Sequence, residues 1–154
     1  MASSVKSNTS LQLGNLIRYQ HTDSGIIGET SSGKFRVQLY SDLIFRISMT
    51  QEDFFDEFSY AVIAAPAGQC TIQDDADAIL LSTPSMKLVI SKSPVRFRLT
   101  DLDGNTINED EAGLGTSWIG EQVTTYKKMQ EGERFIGLGE KTGGLDRKGS
   151  AYQN

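Results

Sequence analysis

The sequence predicts an all-β protein built as an antiparallel β-sandwich, and three observations carry that prediction. Residues 34–40 and 95–100 alternate apolar and polar side chains with a period of two, which is typical of a half-buried strand. Turn-forming residues recur at short intervals along a chain that has 15 glycines. Since no stretch keeps the apolar period of a helix, about ten short strands favour a sandwich.

The first half of the chain predicts four strands after a flexible lead-in over residues 1–12, so that the domain spans residues 13–154. A turn at Asp23-Ser24-Gly25 separates the first two strands. In the third strand, Phe35, Val37 and Leu39 share one face and are expected to enter the core. The four predicted strands are residues 15–22, 25–30, 34–40 and 43–49.

The second half begins with an acidic and aromatic stretch, residues 51–59, which is interpreted as a loop or a single helical turn. Asp-Gly at positions 103 and 104 predicts a hairpin turn, because glycine tolerates positive φ. We expect the arginines and lysines of the strands to face water. The predicted strands are residues 60–65, a strand around Cys70, 78–83, 86–91, 95–100, 106–108, 123–126 and a last short strand formed by Phe135, Ile136 and Leu138.

The composition and net charge of the chain limit the classes of partner that it is expected to bind. The net charge is −5, and no basic patch of the kind that displaces counterions from nucleic acid is visible. A neutral partner such as a sugar fits this charge. The single cysteine, Cys70, excludes an internal disulfide and is interpreted as a small strand residue. The polar first ten residues lack the apolar core of a secretion signal, so we expect a cytoplasmic protein with no membrane segment.

Two loops resemble ligand motifs and fail on spacing. Residues 101–105 invite a calcium interpretation, but an EF-hand loop needs glycine at the sixth position and glutamate at the twelfth, which here is Ala112. The glycines from Gly137 onward approach a dinucleotide fingerprint, yet its third glycine would fall on Thr142. We therefore predict no metal site and no cofactor.

Four further features have a structural and a chemical interpretation. His21, the only histidine, is interpreted as a surface strand residue, because nothing local suggests a catalytic triad. The acidic clusters 74–77 and 109–111 could supply the paired carboxylates of a glycosidase, but consecutive acids on a loop usually face solvent. Trp118 could stack on a sugar and is interpreted as a core or interface anchor.

Three segments of the second half resemble one known family. Residues 134–149, RFIGLGEKTGGLDRKG, are similar to a strand-and-loop signature. Residues 87–105, KLVISKSPVRFRLTDLDGN, and residues 77–83, DAILLST, resemble the hairpin and the strand that precede it. The signature is that of the N-terminal domain of glycoside hydrolase family 31, which contains α-glucosidases and α-xylosidases. The similarity covers roughly residues 34–154.

The resemblance implies a β-sandwich related in fold to the galactose mutarotases. It also implies a catalytic (β/α)8 barrel after residue 154, with two aspartates as nucleophile and acid/base in a retaining mechanism on α-linked glucosides. Glycines of the motif would permit tight turns, and its two charged residues would bridge the loop or face the barrel. The motif residues to which the family's pattern transfers are Gly137, Gly139, Glu140, Gly143 and Arg147.

Three functions follow as hypotheses. The favoured one is a non-catalytic N-terminal domain that supports the barrel and shapes the rim of its sugar pocket, with the motif residues shaping the loop. The alternative is a stand-alone carbohydrate-binding module, against which the single tryptophan counts. A mutarotase-like epimerase ranks last, because its acid/base site resembles a histidine and carboxylate pair and His21 is the only histidine.

Overall fold

The computed structural model describes residues 10–55, 58–137, 139 and 142–151. These residues form twelve strands and no helix. Within the described ranges, no helix is long and apolar enough to cross a lipid bilayer. In chain order the strands are β1 (Leu11–Gln12), β2 (Leu16–Thr22), β3 (Gly25–Thr30), β4 (Gly33–Ser41), β5 (Ile44–Thr50), β6 (Thr71–Asp74), β7 (Ala78–Ser82), β8 (Met86–Lys92), β9 (Val95–Asp101), β10 (Thr106–Glu109), β11 (Thr116–Ile119) and β12 (Gln122–Thr125).

The strands make three antiparallel sheets. One sheet has four strands in the order β2-β3-β4-β5, and a second has five in the order β10-β9-β8-β7-β6. In both, chain neighbours are hydrogen-bonded neighbours, as expected for strands joined by short turns. A third sheet has the order β1-β11-β12 and joins the start of the domain to its second half. The predicted all-β sandwich is therefore confirmed.

The core lies between the four-stranded and the five-stranded sheet. Phe35, Val37 and Leu39 of β4 are buried, as their alternation predicts, and Phe35 meets Phe97 of β9 edge to face at 5.3 Å between ring centroids. Such a pair adds about 0.5–1.5 kcal/mol to the gain from burial alone. The other core residues come from both large sheets, from β11 and from the segment between β1 and β2: Leu13, Ile26, Ile79, Leu81, Leu88, Ile90, Val95 and Trp118.

Several strand predictions differ from the structure. Residues 60–65 form no strand, so that prediction is wrong. The segment is apolar, but an apolar run becomes a strand only where a neighbour supplies ladder partners. Around residue 135 the structure shows a single bridge between Ile136 and Asp146, and Leu138 lies outside the described residues.

The third sheet was not predicted from the sequence. Leu11 and Gln12, which belong to the predicted lead-in, form β1 and pair with Trp118 and Ser117 of β11. Two residues carry too little local pattern to identify a strand, and their partners lie about a hundred residues away in the chain. The sheet is therefore a product of long-range packing.

Arg96 of β9 is buried, which corrects the expectation that the strand arginines face water. Only 8% of its surface is exposed. Its guanidinium donates to the carbonyl of Ala112 at 3.0 Å, to the carbonyl of Val95 at 2.8 Å and to the side-chain oxygen of Gln12 at 2.6 Å. Because a buried charge is costly unless its donors are satisfied, these bonds hold β1, β9 and the loop at 112 together.

Asp110 is also buried, although its acidic cluster was predicted to be a solvated loop. One carboxylate oxygen accepts the amide of Phe97 at 2.9 Å, and the other accepts the Lys127 ammonium at 2.5 Å. Asp110 and Lys127 are also linked through their backbones, which form an isolated antiparallel bridge. The chain that leaves β12 is thereby attached to the end of β10.

A polar cluster closes one side of the sandwich. The Tyr19 hydroxyl of β2 donates to the Asp74 carboxylate of β6 at 3.1 Å, and the Lys92 ammonium of β8 lies 2.6 Å from the other oxygen of Asp74. These bonds join the edge strands of the two large sheets. Hydrogen bonds from Lys92 and from Tyr19 lower the pKa of Asp74 below its ordinary value. Burial, and then the bond to Asp74, raise the pKa of Tyr19.

Gly115→Ala is expected to lower the free energy of unfolding by about 1–3 kcal/mol, measured by urea titration. The glycine has φ +52°, and an added Cβ would lie 2.7 Å from Cζ of Arg96. The matched control is Gly104→Ala, where φ is +91° and nothing lies within 4 Å of the added Cβ. The control should lose only the conformational part, about 1 kcal/mol. Equal losses would contradict the packing argument.

Asp74→Asn is expected to destabilise the domain at neutral pH, and the deficit should disappear in acid. The lowered pKa of Asp74 means that the carboxylate contributes stability above its unfolded pKa, about 3.9. That contribution is lost as the pH falls through the lower folded pKa. Urea midpoints of parent and variant should therefore differ from pH 7 to pH 5 and converge below about pH 4. A difference that stays constant with pH would refute the ionic role.

Candidate functional site

The candidate site is the C-terminal loop, residues 130–151, which contains the motif residues. Two backbone contacts close the base of this loop, which we call its neck. One is the Ile136–Asp146 bridge, and the other is the hydrogen bond from the amide of Arg147 to the carbonyl of Phe135 at 2.7 Å. The Asp146 carboxylate accepts the amides of Phe135 at 3.2 Å and Lys148 at 3.0 Å. The bonds from Lys148 and then Phe135 lower the pKa of Asp146. An ionised carboxylate therefore fastens both arms of the neck.

The structure describes four of the five motif residues, and all four lie in this loop. Gly137, Gly139 and Gly143 have φ of +118°, +70° and +112°, a region that side-chain-bearing residues rarely adopt. Arg147 donates through Nη1 to the carbonyl of Thr142 at 3.1 Å and so spans the loop from arm to tip. Glu140 lies outside the described residues, and the expected contact between Glu140 and Arg147 stays a prediction.

The loop exposes apolar side chains next to its neck. Phe135, Ile136 and Leu145 are all exposed, although a strand and a folded turn would normally bury such residues against a neighbour. Met129 and Tyr126, just before the loop, are exposed as well. A surface of this kind is suited to packing against another part of a protein.

The structure does not bring the other sequence-predicted candidates to this loop. His21 is exposed on β2, as predicted, and its ring lies 5.7 Å from that of Tyr19. Trp118 is buried in β11, which confirms the core interpretation. The Asp101 carboxylate accepts the backbone amide of Asn105 at 2.8 Å, which confirms the hairpin turn. Among the described residues, no group of three or more His, Cys, Asp or Glu is arranged to hold a metal ion.

Three carboxylates of the two acidic clusters have clear structural partners. Asp74 holds Tyr19 and Lys92, and Asp110 holds Phe97 and Lys127. Glu111 accepts the amides of Gly113 and Leu114 and thereby shapes the loop beneath Gly115. In this arrangement the carboxylates tie strands together and turn the chain.

One exposed feature was missed by sequence reasoning. Tyr60 and Ile63 are 93% and 96% exposed in the segment that was predicted to be a strand. The signal was present as the run YAVIAAPA at residues 60–67, which has no polar residue to place on a solvent face. A run without alternation is compatible with burial on both faces, so the sequence indicated an apolar segment but not its partner.

Comparisons with known proteins give one family. The sequence profile described as "Glycosyl hydrolase 31 N-terminal galactose mutarotase-like domain" matches residues 34–154. Alpha-glucosidase 2 of Bacillus thermoamyloliquefaciens is 28% identical over 145 residues, which are 90% of this chain and 18% of that protein. The chain therefore spans less than a fifth of the length of this relative.

Solved structures give the same fold. A dextranase of glycoside hydrolase family 31 from Flavobacterium johnsoniae, complexed with glucose, superposes with a TM-score of 0.83 at 27% identity. The match covers 91% of this chain and 18% of that chain. The cycloalternan-forming enzyme of Listeria monocytogenes, in complex with a pentasaccharide substrate, superposes with a TM-score of 0.73 at 15% identity, over 89% of this chain and 14% of that one. At that identity the likeness concerns the fold alone.

Asp146→Ala is expected to open the neck of the loop. Because the carboxylate accepts the amides of Phe135 and Lys148, its removal should speed hydrogen exchange at these two amides, measured by NMR. The control is Asp101→Ala, which removes the carboxylate that orders the 101–105 hairpin and should leave both amides unchanged. Unaltered exchange in Asp146→Ala would show that the neck does not depend on this side chain.

Proposed function

The chain belongs to the glycosyl hydrolase 31 N-terminal galactose mutarotase-like domain family, and we propose that it is the non-catalytic N-terminal domain of a longer, retaining α-glucosidase-like glycoside hydrolase. The observation that carries the proposal is the family match over residues 34–154, together with the small fraction of each relative's length that this chain covers. In two enzymes, an alpha-glucosidase and a dextranase, the part that matches this chain makes up 18% of the length. The remaining length of each enzyme is long enough to contain a catalytic domain.

The partners of the carboxylates support a non-catalytic role. A retaining glycosidase uses two carboxyl groups about 5–5.5 Å apart, one of which must be protonated at the working pH. In this chain the pKa of Asp74 is lowered by Lys92 and Tyr19, so it stays ionised. Asp110 is buried and bonded to Lys127. These groups are suited to holding strands, and we assign the chemistry to a barrel that follows residue 154.

We assign two tasks to this domain. It supports the barrel through its exposed apolar side chains, and its C-terminal loop shapes the rim of the sugar pocket. The loop is suited to a rim because Asp146 and Arg147 hold its neck while the positive φ values of Gly139 and Gly143 set sharp turns. In this proposal Gly137 and Glu140 belong to the same rim. The ligand class is α-linked glucosides, in line with an alpha-glucosidase and a dextranase among the relatives.

The isolated 154-residue chain is expected to release no nitrophenol from 4-nitrophenyl α-D-glucoside, because we assign the reacting carboxylates to the barrel. The parent protein should hydrolyse this substrate and release the sugar with retained configuration, followed by absorbance and by NMR of the product. Circular dichroism of the isolated chain serves as the control for folding. Turnover by the folded, isolated chain would refute the non-catalytic assignment.

The alternative, a stand-alone carbohydrate-binding module, is tested on the same preparation. Titration calorimetry with maltose and isomaltose should give no heat of binding to the isolated chain. Millimolar or tighter binding would favour the module. A parent protein without α-glucosidase activity would overturn the enzyme class instead.

A further inference from the structure

The two long sides of the sandwich differ. On the side of β2 and β6, the bond between Tyr19 and Asp74 joins the two sheets. On the side of β5 and β10, a slot of about 190 Å³ enters the sandwich. It is lined by Phe45, Ile47, Leu88, Phe97, Leu99 and Asn108. Since Leu88 and Phe97 belong to the buried core, this slot reaches the core from outside.

An apolar groove lies beside the slot. It has a volume of about 570 Å³ and is lined by Tyr40, Ile44, Phe45, Arg46 and residues 61–64. Phe45 lines both the slot and the groove, so the two cavities adjoin at this residue. Ile44 and Ile63 are 55% and 96% exposed on its rim. We call this surface, formed by Ile44, Phe45, Ile47, Val62 and Ile63, the open side.

The backbone of the open side is also available for pairing. The four-stranded sheet ends at β5, and residues 61–67 belong to no strand. The amides of Ala61 and Val62 donate locally, to the hydroxyl of Ser59 at 3.2 and 3.1 Å. A sheet edge flanked by large apolar side chains is normally covered in a soluble protein.

We propose that the open side is the contact surface, or seat, against which the polypeptide that follows residue 154 packs in the parent protein. This inference rests on the proposed function and adds the location of the contact. The matching part of the alpha-glucosidase and of the dextranase is 18% of each chain, so a large mass of protein accompanies this domain in both. An apolar seat that opens into the core is typical of a permanent contact.

The path of the chain supports this occupant. Residues 126–128 run along the end of β10, on the side away from β9: the Glu111 amide donates to the carbonyl of Tyr126 at 3.0 Å, and the Lys128 amide donates to the carbonyl of Glu109 at 2.9 Å. The chain therefore leaves the five-stranded sheet next to the strand that borders the slot. The polypeptide that follows residue 154 is linked covalently to this edge through residues 129–154, and such a link raises its effective concentration near the open side.

Cysteine labelling of the full-length parent protein tests the seat. The variants are Ile63→Cys and Ile44→Cys, and the control is Ile17→Cys, an isoleucine of β2 that is 65% exposed. Maleimide labelling is followed peptide by peptide by mass spectrometry, and each rate is divided by the rate of the same cysteine in denaturant. We expect labelling at positions 63 and 44 to be slowed about ten-fold or more relative to position 17.

The other outcomes separate this inference from the proposed function. In one outcome, positions 63 and 44 are labelled as fast as position 17, while Ile136→Cys in the C-terminal loop is labelled slowly. This result would refute the contact at the open side but would leave the proposal that the domain supports the barrel intact. Fast labelling at all four positions would overturn both. Protection that vanishes on dilution would assign the open side to a second copy, and protection that requires added isomaltose would assign it to a sugar. Either result would overturn the inference.

Discussion

The buried guanidinium of Arg96 is the constraint on which the remainder of the domain depends. A cation with 8% of its surface exposed must have its donors satisfied, and the three acceptors come from β1, from β9 and from the loop at Ala112. The bonds place the small third sheet against the five-stranded sheet. They also explain why the backbone at Gly115 comes so close that a side chain would meet the guanidinium.

From Arg96 a chain of contacts leads to the candidate site. The loop that accepts the guanidinium starts at Asp110, whose carboxylate binds Lys127 just after β12. Residues 126–128 are thereby placed along the edge of β10, and the C-terminal loop begins immediately after them. A second carboxylate, Asp146, then closes the neck of that loop. A buried acid, Asp110, and an exposed one, Asp146, thus position the segment that carries the family motif.

The asymmetry of the sandwich links fold and function. One side is closed by the bond between Tyr19 and Asp74, whereas the open side exposes Ile63 beside a slot that reaches Phe97. In the larger enzyme that we propose, the neighbouring domain would cover this face and complete the core. The exposed Phe135 and Ile136 of the C-terminal loop fit the same interpretation.

The sequence by itself determined the strands whose pattern is local: residues 34–40 and 95–100 alternate, and Asp103-Gly104 forms the predicted turn. The motif at 134–149 likewise identified the family from the chain alone. Only the tertiary structure decided that β1 pairs with β11, that Arg96 is buried and that residues 60–65 form no strand. The physical reason is that pairing and burial depend on partners far away in the sequence, which a local pattern of side chains does not encode.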